Sequence, residues 1–451
     1  MRRTATSRDL ALLSAVALAV LAAAVALTWA RADDASAWDV PLYESFGDGV
    51  VDGQVPYRDL RIEYPPGALP AFVLPALASH AFGPDGPSVY EPELNDAARS
   101  YALWFAMLMT LLLAVTLVAT AVSLRVLGAS VGKAAAALLT VGATPLLLGE
   151  LALTRFDALP VALTAAATAL LLARRPRWAA LALGLAVATK LYPLLLLPLF
   201  AALAWKRYGR REAWLGVGLT AAVVAAVFLP FLALAPADTW FSVRAQTTRG
   251  LQVESLAGSV VLAVDRVAEG LGVSGIASVD EGGTGSVRSA DVVGAAGTAL
   301  GTLALLASLL VVAAVWVGFG RGDGSPAAFV RAASAVIAAQ LALGRVLSPQ
   351  FVLWLVPFVP LVPGRRGRWA LGLLVAATAA THLWFPDLYR DYVNEREPLA
   401  TAFLLGRNAL LLALLAVLVL PLRVPYALRA RRSPSSPPAA SSTNAGANGT
   451  E

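Results

Sequence analysis

A carboxylate just past an apolar helix, with a tyrosine four residues on, is well placed for proton chemistry at a bilayer boundary. Asp39 and Tyr43 form such a pair, followed by Gly53-x-x-Pro56-Tyr57 and then Glu63-Tyr64-Pro65-Pro66. At that position Asp39 can meet both an aqueous hydroxyl and a membrane-held partner, and can take the hydroxyl's proton as it attacks. Asp33 and Asp34 are rival bases, ranked lower because they precede the Asp-x-x-x-Tyr spacing. Negative charge that develops or is held at the same boundary needs cations. Lys190, one of three lysines in the chain, comes first, since charge buried near a span is costly and functional by default. Arg345, just before Leu347-Ser348-Pro349, comes second, and Arg155 third, where a local ion pair with Asp157 or Glu150 is an equal reading. Tyr43, Tyr57 and Tyr64 could stack on a bound ligand, although interfacial anchoring is favoured for each taken alone. Glu63, Asp157 and Tyr192 lie in the same stretches and complete the candidate substrate-binding set. His382 could assist proton transfer but, beside Trp384, reads first as an anchor. Gly53 and Pro56 shape a turn. Arg244 and Arg249, in one loop with Glu254, read as a solvated face.

The elements that hold these residues must lie in lipid. The chain of 451 residues is 58% hydrophobic and only 14% charged, against about 25% charged in soluble domains. Its net charge of +6 does not indicate nucleic acid, because the basic residues sit in short clusters between apolar runs. With no cysteine there are no disulfides, thiolate metal sites or cysteine nucleophiles. Apolar runs begin near Leu10, Tyr101, Ala134, Phe156, Trp178, Leu191, Ala213, Val292, Ala327, Phe351, Trp369 and Leu399, which predicts about twelve crossings. With the N-terminus in the cytoplasm, 21 of 35 basic but only 4 of 29 acidic residues (Asp9, Glu212, Asp323, Glu451) fall on that side, leaving 14 basic and 25 acidic residues outside. That asymmetry supports cytoplasmic N- and C-termini.

Two places need a decision. Both clusters flanking Trp178 to Trp205 want the cytoplasm, so the chain must turn back, and the break is expected at Lys190-Leu191-Tyr192-Pro193 because proline disfavours helix at and before it. The stretch from Pro66 to Phe82 holds Pro70 and Pro75 between acidic segments, and reads as an interfacial or re-entrant helix. The run Leu10 to Leu27 is longer than a usual signal-peptide core and reads as the first span, with cleavage the lesser reading. The Ser/Pro/Ala-rich tail after Arg432 reads as disordered. The expected layout is therefore a first span in 1–30, a first outer loop in 31–100, a helical membrane domain in 101–421 with an outer loop 236–291, and a tail in 422–451.

The order of elements from Asp39 to Pro66 resembles the first loop of glycosyltransferase family 87, part of the GT-C superfamily of polyprenol-phosphate-sugar-dependent transferases. The stretch from Thr154 through Pro198, the segment Arg249 to Ser255 and the stretch from Leu347 to Phe358 agree with it, so that the resemblance covers roughly residues 10–420. It implies an all-α polytopic GT-C-like fold of about twelve helices, with interfacial helices in the first outer loop. It gives Asp39 the role of catalytic base. It also implies an inverting transfer, with mannose the suggested sugar, from a polyprenyl phosphate donor to a glycan or glycolipid acceptor on the outer face. No cofactor, metal or nucleic-acid partner is expected, and the Arg/Ala-rich, lysine-poor usage suits a high-GC bacterium and hence the plasma membrane. Rival readings are a transporter or lipid-carrier flippase and an envelope-glycan polymerase or ligase. The gathering of polar residues on one face, with no internal repeat, favours the enzyme.

Overall fold

Side-chain caps fix where several helices begin. Thr6 and Asp9 make a reciprocal capping box that opens α1 (Ser7–Trp29). In the computed structural model, which describes residues 3–31, 39–90, 93–273, 275, 277–280 and 290–420, this helix packs on α4 (Asp96–Val126) and α5 (Val131–Gly142). Asp33, Asp34 and the tail lie outside the described residues. Between α1 and α4 come α2 (Val40–Val51) and α3 (Leu69–Phe82), which pack on each other, with α3 also lying on α4. A 3-10 turn, Pro66–Ala68, leads into α3.

The chain then breaks repeatedly. Short helices α6 (Thr144–Leu148) and α7 (Leu151–Thr154) precede α8 (Ala158–Leu172) and α9 (Pro176–Thr189). At Lys190 the backbone becomes extended, a 3-10 turn runs over Tyr192–Leu196, and α10 (Leu197–Tyr208) follows, so the break falls where the proline places it. Next come α11 (Arg210–Leu234), α12 (Pro236–Thr247) and α13 (Leu256–Gly270), the last capped by Ser255. Three short strands, β1 (Leu251–Gln252), β2 (Ser278–Asp280) and β3 (Asp291–Val293), pair antiparallel in the order β1-β3-β2. The last helices are α14 (Gly294–Arg321), α15 (Pro326–Leu343), α16 (Gly364–Trp384) and α17 (Pro398–Val419).

Each of the twelve apolar runs is helical. Six of them, α1, α4, α11, α14, α15 and α17, are long and apolar enough to cross a bilayer alone. The run from Phe351 is 3-10 helix, in Pro349–Leu355 and Val359–Leu361, rather than a regular span. The stretch from Pro66 to Phe82 is likewise a shorter apolar helix. Irregular backbone of this kind is tolerated at membrane depth only where protein covers it, and Phe351 through Val362 are all buried. Burial also sorts the long helices: α15 is 67% buried and central, whereas α11 is only 11% buried and turns its apolar surface outward to lipid. The protein is thus an all-α polytopic membrane protein. These helices form one unit, Met1–Val419, and a second unit, Leu420–Glu451, lies almost wholly outside the described residues.

Candidate active site

Asp39 stands at the N-cap of α2, yet its side chain caps no backbone N–H. It pairs instead with the Arg155 guanidinium and accepts the Tyr43 hydroxyl at 3.3 Å. Arg155 follows α7 in extended backbone and is buried. The fold thus brings the distant Asp39 to this guanidinium. Beneath the pair lies an aromatic cluster in which Tyr43 stacks on Phe72 at 4.8 Å and Tyr64 meets Phe156 edge-on at 4.9 Å. The cluster excludes water from one side of the carboxylate, which strengthens its electrostatic contacts.

Asp157 takes the other cation. Lys190 Nζ donates to Asp157 Oδ1 at 2.7 Å, and Trp354 Nε1 donates to the same oxygen at 2.6 Å. The ammonium also sits over the Phe156 and Phe351 rings, at 4.7 and 5.0 Å from their centroids. Tyr192 stacks on Trp354 at 4.2 Å and shares a 3.0 Å hydrogen bond with Thr164. Asp157, Tyr192 and Trp354 thus form a wall behind Lys190, a packed aromatic setting in which a cation is held both by a carboxylate and by π faces.

The strand segment closes the site from another side. Gln252 Oε1 accepts from the Leu347 amide at 2.9 Å, Nε2 donates to Ser348 Oγ at 3.3 Å, and the Gln252 amide donates to the Arg345 carbonyl at 2.9 Å. One glutamine therefore ties the β1 segment to the turn before Pro349. Asp39, Tyr43, Tyr64, Arg155, Lys190 and Glu254 line one cavity, together with Gln246, Arg249, Ser348 and Phe351, and it encloses about 710 Å3 counting its open mouth.

Of the residues singled out in the sequence, Asp39, Tyr43, Tyr64, Arg155 and Lys190 converge on this cavity. Asp157 and Tyr192 act behind it. Glu63 is half-buried beside it, its carbonyl accepting from Gln246 at 2.9 Å. Tyr57 does not line it: this residue has a left-handed φ of 68°, and its hydroxyl donates to the Tyr64 carbonyl at 2.8 Å, so it fixes the loop. Gly53, at φ 88°, supplies the turn that was expected of it. Arg345 spends its guanidinium on the Thr247 carbonyl and is not in the lining. His382 is exposed at the end of α16, against Gly149. The solvated reading holds for Arg244 and fails for its neighbours, since Arg249 is half-buried with its Nε buried and without a hydrogen-bond partner, and Glu254 is buried. The sequence signal for this was available: Arg249 and Glu254 flank the two-residue strand in a Gly-Leu-Gln-Val setting, too apolar for a solvated face.

No curated protein matches the chain. Among solved structures, ArnT from Cupriavidus metallidurans, crystallised bound to undecaprenyl phosphate, is a distant likeness, with 15% identity and a TM-score of 0.44 over 92% of this chain and 77% of that one. The profile of glycosyltransferase family 87 matches residues 63–349, which include Arg155, Lys190 and Glu254 and begin after Asp39. With well over half of its length matched, the chain belongs to glycosyltransferase family 87.

Proposed function

We propose that this membrane glycosyltransferase moves a sugar, mannose in the first instance, from a polyprenyl phosphate to a hydroxyl of a glycan or glycolipid on the outer face of the plasma membrane, with inversion. The observation that carries the reading is the convergence of Asp39 with three cations, Arg155, Lys190 and Arg249, in one cavity. Asp39 takes the proton of the acceptor hydroxyl. The new C–O bond then forms at the sugar's anomeric carbon as the bond to the phosphate oxygen breaks on the opposite side, and the electron pair leaves with the phosphate. Lys190 and Arg249 stabilise that charge, and the apolar rings around Lys190 make the attraction stronger than it is in water. A donor phosphate arriving beside Arg155 competes with Asp39 for the guanidinium, and the carboxylate oxygen it releases is then available to the acceptor. Family membership favours this enzyme over a transporter. A polymerase or ligase would share the site and differ in donor.

The test is transfer of radiolabel from polyprenyl-phosphate-mannose into a total envelope lipid extract by the detergent-purified protein, wild type beside Asp39→Asn. Label appearing in a new glycolipid with wild type, and falling by roughly a hundredfold or more in the variant, supports both donor and base. Equal transfer by the two proteins removes Asp39 from the mechanism. No transfer from any polyprenyl phosphate sugar removes the carrier.

A further inference from the structure

Among the described residues, three groups of buried or clustered polar side chains that the mechanism above does not use stand out. A second cavity on the other side of α2 is lined by Glu44, Asp48, Asp52 and His80. Its deepest acid, Glu44, is already satisfied by the hydroxyls of Ser88 and Tyr90. Arg396 ties α13 to the 391–395 turn through Asp265 and Glu269, a structural brace. Glu254 differs from both. It is only 3% exposed, its Oε2 has no hydrogen-bond partner, and it lines the same cavity as Asp39 and Lys190.

A buried carboxyl oxygen without a partner is expensive unless something bound there completes it. The surroundings do not supply that partner. Arg407, fully buried in α17, uses Nη2 on the Glu254 backbone carbonyl at 2.6 Å, and Asn408 reaches the same carbonyl at 3.3 Å. These bonds fix the backbone of Glu254 and leave its carboxyl to the cavity. The other polar side chain of this strand segment, Gln252, is committed to Leu347 and Ser348.

We propose that Glu254 is a specificity-determining residue whose carboxyl hydrogen-bonds the hydroxyls of the donor's sugar while Lys190 and Arg249 hold the attached phosphate. This rests on the donor class proposed above. The charge state suits the task. Burial pushes the Glu254 carboxyl up to about 8, against the opposing pull of Arg407, Arg155 and Arg249. The groups that face it are Arg407 on α17, Arg155 after α7, Tyr392 in the 391–395 turn and Arg249 on its own segment. A carboxyl that keeps its proton at neutral pH can donate as well as accept, and does not repel the neighbouring phosphate. A site built to pair a hydroxyl rejects a ligand that lacks it, because the site's own polar group is then left unpaired.

The experiment measures binding of two lipids to the full-length purified protein, read by the fluorescence of its tryptophans: polyprenyl phosphate with and without a mannose. Glu254→Ala should weaken the sugar-bearing lipid by roughly tenfold and leave the bare lipid within about twofold. Glu254→Gln, which keeps a donor and an acceptor, should rescue most of that loss. A second readout follows from the sign of the linkage. The protonated acid's contribution to stability is complete below 4.5, the ordinary value, and is lost as pH rises through about 8, so the melting temperature of wild type should fall over that interval relative to Glu254→Gln. Equal weakening of both lipids by Glu254→Ala, or none, overturns the assignment and leaves Glu254 as a counter-charge for Arg407. Failure of wild type to bind either lipid overturns the donor class instead, and this inference with it.

Discussion

The buried pair Lys190–Asp157 has two parts to play, and they can be separated. Lys190 faces the cavity, while Asp157, fully buried, holds it from behind with help from Trp354. Removing one member of such a pair leaves an uncompensated charge in a poorly solvated place, which typically costs about 3–5 kcal/mol. Asp157→Asn and Lys190→Met are therefore each expected to lower the melting temperature in detergent. The double variant Asp157→Leu with Lys190→Met should recover much of that loss, because apolar replacement of a buried ion pair is often neutral. It should not recover transfer, since the phosphate has lost its cation. Thermal unfolding alongside donor turnover checks both halves, and a double variant that regained activity would take Lys190 out of phosphate binding. The placement of this lysine at the cavity was legible because it is a rare, charged residue at a chain break. Its partner was not, because neighbours in sequence pointed Asp157 toward Arg155, and only the fold brings Asp157 to Lys190 and Asp39 to that guanidinium.

What positions Lys190 is the contact between the turn Pro66–Ala68 and the end of α9. A Cβ on Gly67 would lie 2.6 Å from the Ala188 carbonyl carbon and 2.7 Å from the Thr189 amide nitrogen, and these are backbone atoms that cannot turn aside. Thr189 seals the same contact by donating to the Gly67 carbonyl at 3.2 Å. Gly67→Ala should force the two elements apart, at a cost of about 1–3 kcal/mol, and move Lys190, the next residue along. The expected result is a lower melting temperature together with a raised KM for donor, and a variant unchanged in both would show that the contact is not tight. At this scale the sequence is legible where its signals are local. Prolines and basic clusters mark the break after Thr189, and the acidic, proline-rich flanks mark the short helix after Pro66. It misleads where an apolar run is continuous: the stretch from Phe351 has the composition of a span but folds as 3-10 turns, because Pro349, Pro357 and Pro360 interrupt it and surrounding helices bury it. Arg407 was a missed signal of the opposite kind, a charge in the middle of an apolar helix, which is costly unless it has work to do.

Across the whole bundle, the contacts sort the charges onto two ends. Arg177 pairs with Glu212 at 2.7 Å, joining the starts of α9 and α11, and Lys206 reaches the Gly322 carbonyl at 2.5 Å, joining the ends of α10 and α14. The backbone of Arg3 meets Val131 at the start of α5. These basic clusters share one end. The other end of α9, about 21 Å away at 1.5 Å per residue over its 14 residues, meets Gly67 and the loop that carries Asp39. The excess of basic residues on the first end predicts that it is cytoplasmic and that the cavity opens outside. Because the chain has no cysteine, a single one introduced at an exposed position reports its side without further engineering. Gln54→Cys, in the loop after α2, should react with a membrane-impermeant maleimide in intact cells. Arg207→Cys, at the end of α10, should react only after the membrane is opened. The reverse pattern would put Asp39 in the cytoplasm, where soluble nucleotide sugars compete as donors. That outcome would leave family membership intact while removing the argument for a lipid-linked donor on the outer face.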